Sequence, residues 1–158
     1  MNVIHEQRLK QLLDQKGNRT INFQMIQPFF QMEGLHLQSH ASSINLMEAF
    51  NTIQHHSLFT IDEAKAMVVC IKENYSLAFN DFSLFQKSLK KIGEKKLIII
   101  VGSYIDPSLE KDEKVLSIYF FGFPRKKEII ENLLSKTRDE KERKYLQKER
   151  LKGLFVVK

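Results

Sequence analysis

The chain has 158 residues, of which 42% are hydrophobic, with twelve Phe, a single Cys and a net charge of +6, a composition that excludes global disorder. No apolar run approaches the roughly 20 residues that span a bilayer, and the N-terminal MNVIHEQRLKQLLDQK lacks the apolar core of a signal peptide. The lone Cys70 excludes an internal disulfide, which predicts a reducing, cytoplasmic setting.

The charge is unevenly placed. Residues 1–124 hold 13 Lys/Arg against 13 Asp/Glu, whereas residues 125–158 hold 12 against 6. A neutral body with a basic C-terminal segment suits an acidic partner, nucleic acid or a membrane surface, and does not choose among them.

In chain order, Ile4, Leu9, Leu12 and Leu13 fall at helical spacing, with Gly17-Asn18 as a stop. Thr20 is placed to cap a second helix carrying Ile21, Phe23, Met25, Ile26, Phe29, Phe30 and Met32. Pro28 either kinks that helix or sits in the first turn of a restarted one. Ser42 or Ser43 is predicted to open a third helix with Ile44, Leu46, Met47, Phe50 and Ile53 on its apolar side. Thr60-Ile61-Asp62-Glu63 fits a capping box, and Ile61, Ala64, Met67, Val68 and Ile71 predict a fourth helix after it. A fifth, placed by Phe79, Phe82, Leu84, Phe85 and Leu89, runs through Lys90-Lys91 to Gly93.

At Lys96 the period changes. Leu97–Val101 and Val115–Phe121 read as strands separated by a polar loop, and Pro124 ends the pattern. Residues 125–152 read as one charged helix, and Leu154–Val157 as a short last strand. The predicted fold class is α+β and predominantly helical: an N-terminal helical bundle over residues 1–92, then a small β-β-α-β unit over 93–158 with a basic helix at 125–152. The two units are free to pack as one domain.

Few chemistries find support. His36 and His40 share a face only on a helix, and Gly34 and Ser42 argue against one. His55-His56 point about 100° apart and suit the end of a helix. Cys70, amid apolar neighbours, reads as core. Gly17, Gly34, Gly93, Gly102, Gly122 and Gly153 are scattered singly and form no phosphate-cradling loop. Ser103, Tyr104 and Asp106, after the first strand, could form a catalytic cluster, but Asp106-Pro107 is ordinary turn chemistry. The expectation is therefore no cofactor, no metal and no catalysis. Contact with a partner or nucleic acid is assigned to Arg125, Lys126, Lys127, Lys136, Arg138, Lys141, Arg143, Lys144, Lys148, Arg150 and Lys152. The interleaved acids, as in Asp139 with Arg143 and Glu140 with Lys144, and the single aromatic Tyr145 weaken the nucleic-acid option.

Phe29-Phe30-Gln-Met-Glu-Gly34-Leu35-His-Leu37, Met47-Glu-Ala-Phe50, Leu58-Phe59-Thr60-Ile61-Asp62 and Phe79-x-x-Phe82-x-x-Phe85 follow one another in an order that resembles the helical region preceding the von Willebrand factor A domain of CoxE-like proteins. The resemblance covers about residues 29–89. The A domain's metal-binding Asp-x-Ser-x-Ser is not matched, since Gly102-Ser103-Tyr104-Ile105-Asp106 follows the strand. The resemblance implies a helical module without its metal-binding partner domain, working beside an AAA+ ATPase in a bacterial remodelling or conflict (defence) system. The function expected is thus a non-enzymatic protein-interaction adaptor. The alternative is a nucleic-acid-binding accessory protein using the basic helix.

Overall fold

The computed structural model describes residues 1–17, 19–74, 79–93 and 97–154. Through residue 93 the elements are β1 (Asn2–Val3), α1 (Glu6–Leu13), α2 (Phe23–Ile26), β2 (Leu35–Ser43), α3 (Leu46–His55), β3 (Ala66–Glu73) and α4 (Phe79–Gly93). They are followed by β4 (Ile98–Ile105), β5 (Lys114–Phe123), α5 (Lys127–Lys136) and α6 (Glu140–Leu154), and short 3-10 turns occur at Gln27–Gln31 and Ile61–Glu63.

The described strands form a five-stranded mixed sheet in the order β1-β2-β5-β3-β4. β3 and β4 run parallel, and the other neighbours are antiparallel. Strands from either side of residue 92 interleave in it. Side chains alternate across a strand, and here both faces are covered. Met67, Val69, Ile71, Leu116, Ile118 and Phe120 pack with Phe50 and Ile53 of α3, Phe85 of α4 and Leu133 of α5. Ala66, Val68, Cys70, Tyr119 and Phe121 pack on the other side with Leu9, Leu12 and Leu13 of α1, Ile21, Ile26 and Phe29.

This overturns the helical bundle expected over residues 1–92. The correction centres on β3. Ala66–Ile71 are all buried, because one alternate set faces each layer of helices. A strand buried on both faces is continuously apolar, and periodicity alone does not separate it from a buried helix. The capping chemistry at Thr60 is present, with the Glu63 carboxylate accepting from the Thr60 N–H at 2.9 Å. It starts only the turn Ile61–Glu63, and Ala64 (φ −75°, ψ 156°) leads the chain into β3. β2 is a second correction: residues 35–43, read as a link between helices, pair along β5 from Leu35 opposite Phe123 to Ser43 opposite Lys114. Gly34 permits that approach. It has φ +113°, and a Cβ there would lie 2.3 Å from the Phe123 carbonyl oxygen.

Smaller differences have local causes. Asn22 and Asn45, not Thr20 or a serine, cap α2 and α3; each accepts backbone N–H bonds through its side chain. Pro28 lies in the first turn of Gln27–Gln31. The expected long basic helix breaks at Thr137, which is extended (φ −88°, ψ 137°). Asp139 then accepts from the Glu142 N–H at 3.0 Å, while the Arg143 guanidinium donates to the Leu134 and Thr137 carbonyls and closes α5. Leu154 belongs to α6, and Phe155–Val157 of the expected last strand lie outside the described residues.

Candidate functional site

The densest arrangement of charge lies where β5 gives way to α5. Pro124 ends the strand and places Arg125 and Lys126 at the corner. The Arg125 guanidinium donates from Nε to Glu149 of α6 and from Nη2 to Glu33 just before β2, both at 2.6 Å. Lys126 Nζ donates to Glu63 at 2.7 Å and sits 5.3 Å from the centroid of the Phe59 ring. That ring stacks on Phe123 at 4.3 Å. Lys65 Nζ donates to the Glu33 carbonyl at 3.3 Å. Glu33, Glu63, Lys65, Phe123, Arg125 and Lys126 line an open cleft of about 800 Å³.

The electrostatics follow from the pairings. The Arg125 hydrogen bond holds the Glu33 carboxyl below its usual range, and the Lys126 hydrogen bond does the same for Glu63. Burial works against the charge on Arg125, but its bonds to Glu149 and Glu33 outweigh that and raise its pKa. Glu149 is 6% exposed and is paired there with Arg125 at 2.6 Å and Lys152 at 3.6 Å. The cleft is an ion-pair clasp binding α6, the β2 entry and the Thr60 turn to one corner.

The eleven basic residues assigned to partner contact divide in two. Arg125, Lys126 and Arg143 are engaged internally. Lys127, Lys136, Arg138, Lys141, Lys144, Lys148 and Lys152 are exposed, and Arg150 is half-buried. On α6, Lys141, Lys144, Lys148 and Lys152 fall on one stripe at helical spacing. Tyr145 turns inward, its hydroxyl accepting from the His36 N–H at 3.0 Å.

The other candidates disperse. His36 and His40 lie on a strand, about 13 Å apart at the rise of a β-strand. His36 is buried against Phe121 and its Nδ1 accepts from the Gly122 N–H at 3.1 Å, whereas His40 is exposed and meets Ser117 at 2.8 Å. His55 and His56 close α3. Burial pushes the Cys70 thiol up to about 12. Ser103 exchanges backbone bonds with Arg19, Tyr104 is buried with its hydroxyl accepting from the Ile21 N–H at 2.9 Å, and Asp106 accepts from Ser108 in a turn. These three make no common site.

Sequence reasoning missed Glu33, Glu63, Lys65 and Glu149. One signal was present: Glu149 is the only acid between Arg143 and Lys152. It also missed a second link, in which His5 Nε2 lies 2.5 Å from one Glu142 oxygen and the Thr137 hydroxyl donates to the other at 2.5 Å. That link ties the N-terminus to the α5–α6 turn.

No described helix is long and apolar enough to cross a membrane. No protein-family model and no curated protein sequence matches the chain. Solved structures do. The FtsZ dimer of M. jannaschii aligns with 72% of this chain and 34% of its own at 19% identity and a TM-score of 0.57. The W319Y mutant of the same FtsZ aligns with 73% and 36% at 16% identity and the same score of 0.57. TubZ of Bacillus thuringiensis serovar israelensis, in GDP-form protofilaments, aligns with 87% and 35% at 11% identity and a TM-score of 0.44. The chain thus spans about a third of the length of the FtsZ chains it matches. The resemblance to the CoxE-like helical region is overturned by this fold, and the AAA+ or conflict-system adaptor goes with it; the nucleic-acid alternative rested on one basic helix over 125–152, which the break at Thr137 divides. The likeness to FtsZ also removes the expectation of no enzymatic activity, which had been read from the residues alone. The described fold is an FtsZ-like mixed sheet.

Proposed function

We propose that this chain is a polymerising domain of the FtsZ/tubulin type, whose copies assemble with one another. The observation carrying the reading is the sheet shared with FtsZ, a protein recorded as a dimer. The surface charge is compatible with it. The exposed Lys141, Lys144, Lys148 and Lys152 present a positive stripe on α6, and the loop before β5 presents Asp106, Glu110, Asp112 and Glu113 against a single Lys111. Complementary patches on one molecule allow one copy to meet the next with opposite charges facing. The exposed lysines are the partner contact we assign, the partner being another copy. A cytoplasmic setting belongs to the same reading.

Sedimentation velocity across a concentration series, at low and high salt and with or without GTP, tests it. The expected result is a species that grows with concentration and shrinks with salt, and that weakens when Lys144 and Lys148 are both changed to Glu. A chain that stays monomeric at every concentration in low salt, with and without GTP, refutes it.

A further inference from the structure

The outer edge of β4 is half covered and half open. In its second half, Lys16 and Arg19 lie along it in the antiparallel sense: Ser103 and Arg19 exchange N–H···O bonds at 2.8 and 3.3 Å, and Ile105 N–H donates to the Lys16 carbonyl at 3.0 Å. Those bonds fix which backbone groups point outward. The N–H groups of Ser103 and Ile105 face the edge, whereas Ile98 and Asp106 donate inward, to Lys65 and Glu73. Because the direction alternates along a strand, Ile99 and Val101 also present their N–H and C=O outward. No partner among the described residues meets them. The side chains there are Ile98, 49% exposed, and half-buried Ile99, Ile100 and Val101.

This open half carries none of the devices that normally protect an edge: no lysine, no proline and no bulge lies between Leu97 and Gly102. We infer that it pairs antiparallel with the same segment of a second copy, about a two-fold axis at Ile99. Parity selects the register. Leu97, Ile99 and Val101 all turn their backbone groups outward, so setting Ile99 opposite Ile99, and Leu97 opposite Val101, makes each of these pairs a hydrogen-bonded one, with Ile98 facing Ile100 as the non-hydrogen-bonded pair between them. Every facing side chain is apolar and no like charges meet, so a second copy is chemically suited at each position. The Arg19 segment blocks a longer register at Ser103. Five residues of pairing bury well under the ~800 Å² per partner of a standard stable interface, so the dissociation constant is weak, on the order of 100 µM.

The inference adds a contact to the polymerising reading but does not need it, since a closed two-fold dimer would satisfy it alone. The first test is Ile99→Pro. Its lost N–H is an outward one, so the internal ladder keeps its bonds, and circular dichroism confirms that the variant folds. The expected result is loss of the concentration-dependent rise in sedimentation coefficient, with Ile99→Val retaining it. The second test is Ile99→Cys, which places two thiols across the axis at the ~5.5 Å Cα spacing a disulfide spans. Mild oxidation should give a covalent dimer, whereas Val101→Cys, whose thiols lie about 13 Å apart in this register, should not. Buried Cys70 is common to both variants. Self-association unchanged in Ile99→Pro, or equal cross-linking of the two cysteine variants, overturns this edge while leaving the polymerising reading standing. Association that stops at a dimer, lost in Ile99→Pro, supports the edge and counts against the polymer.

Discussion

Replacing Arg125 by Met keeps an apolar stem of similar length in the clasp but removes the guanidinium. Of its two partners, the Glu33 side chain is 74% exposed and returns to water at little cost. The Glu149 side chain is 8% exposed and is left facing Lys152 at 3.6 Å, so it bears the loss. Removing one member of a buried pair costs about 3–5 kcal/mol. With the remaining lysine as partial compensation, the low end applies, about 3 kcal/mol. For a chain of this size that corresponds to a fall in Tm of about 6–12 °C. Urea denaturation followed by circular dichroism measures it, with the slope unchanged if the loss lies in the native state. Arg125→Met combined with Glu149→Met should recover most of the loss, because a buried ion pair replaced by apolar side chains is often neutral. The coupling between the two sites should then be about 1.5–3 kcal/mol. If each single variant costs under about 0.5 kcal/mol and the two add, the pair behaves as a solvated surface contact and the clasp does not anchor α6.

Gly34→Ala places a Cβ at 2.3 Å from the Phe123 carbonyl oxygen with φ at +113°, and is expected to cost about 3 kcal/mol or more; a change in stability under about 0.5 kcal/mol would refute the close approach of β2 to β5. Tyr104→Phe leaves the Ile21 N–H without the hydroxyl that accepts from it. It should destabilise by about 1–3 kcal/mol with no change in secondary structure by circular dichroism. Burial lowers the His36 pKa below its ordinary 6.5, so the unfolded chain binds the proton first. The His36 contribution is therefore complete above pH 6.5 and is lost as pH falls from there through the folded-state value. His36→Gln, which keeps an acceptor for Gly122, should show a shallower loss over that range in denaturation measured at successive pH values. An identical slope would show that His36 is solvated in the native state.

How far the sequence reveals this fold depends on how many sides of each element are buried. α1, α3 and α4 each bury one stripe, so their period is legible, and β4 and β5 are marked by β-branched and aromatic runs bounded by Gly102 and Pro124. β3 is hidden by its own burial: Met67, Val69 and Ile71 serve one layer while Ala66, Val68 and Cys70 serve the other. A genuine cap at Thr60 stands just ahead of it, so two correct local signals combine into a wrong helix. β2 is hidden for the opposite reason. Leu35 and Leu37 go inward, but His36 is buried on the far side and polar residues follow, so its strand character appears only when β5 lies beside it.

The same physics separates the clasp from the open edge. Arg125 meets Glu149 across 24 residues and Glu33 across 92, and nothing in one-dimensional charge patterning distinguishes a cation with such partners from Lys127 beside it, which is exposed. Side-chain pairing at long range is a property of the folded corner. The β4 edge needs only a local fact, an uncharged β-branched run, plus one topological fact, that the strand ends the sheet. Had β4 lain in the interior, Ile98–Val101 would be ordinary core, paired on both sides. Had the edge carried a lysine in place of Ile99, exposure there would be a protected one. Among the described residues, position and sequence together leave the outward backbone groups of Ile99 and Val101 open. The chain itself supplies an antiparallel cover at Arg19 and stops short of them, which is why a further strand, and not a helix or loop, is the complement this edge fits.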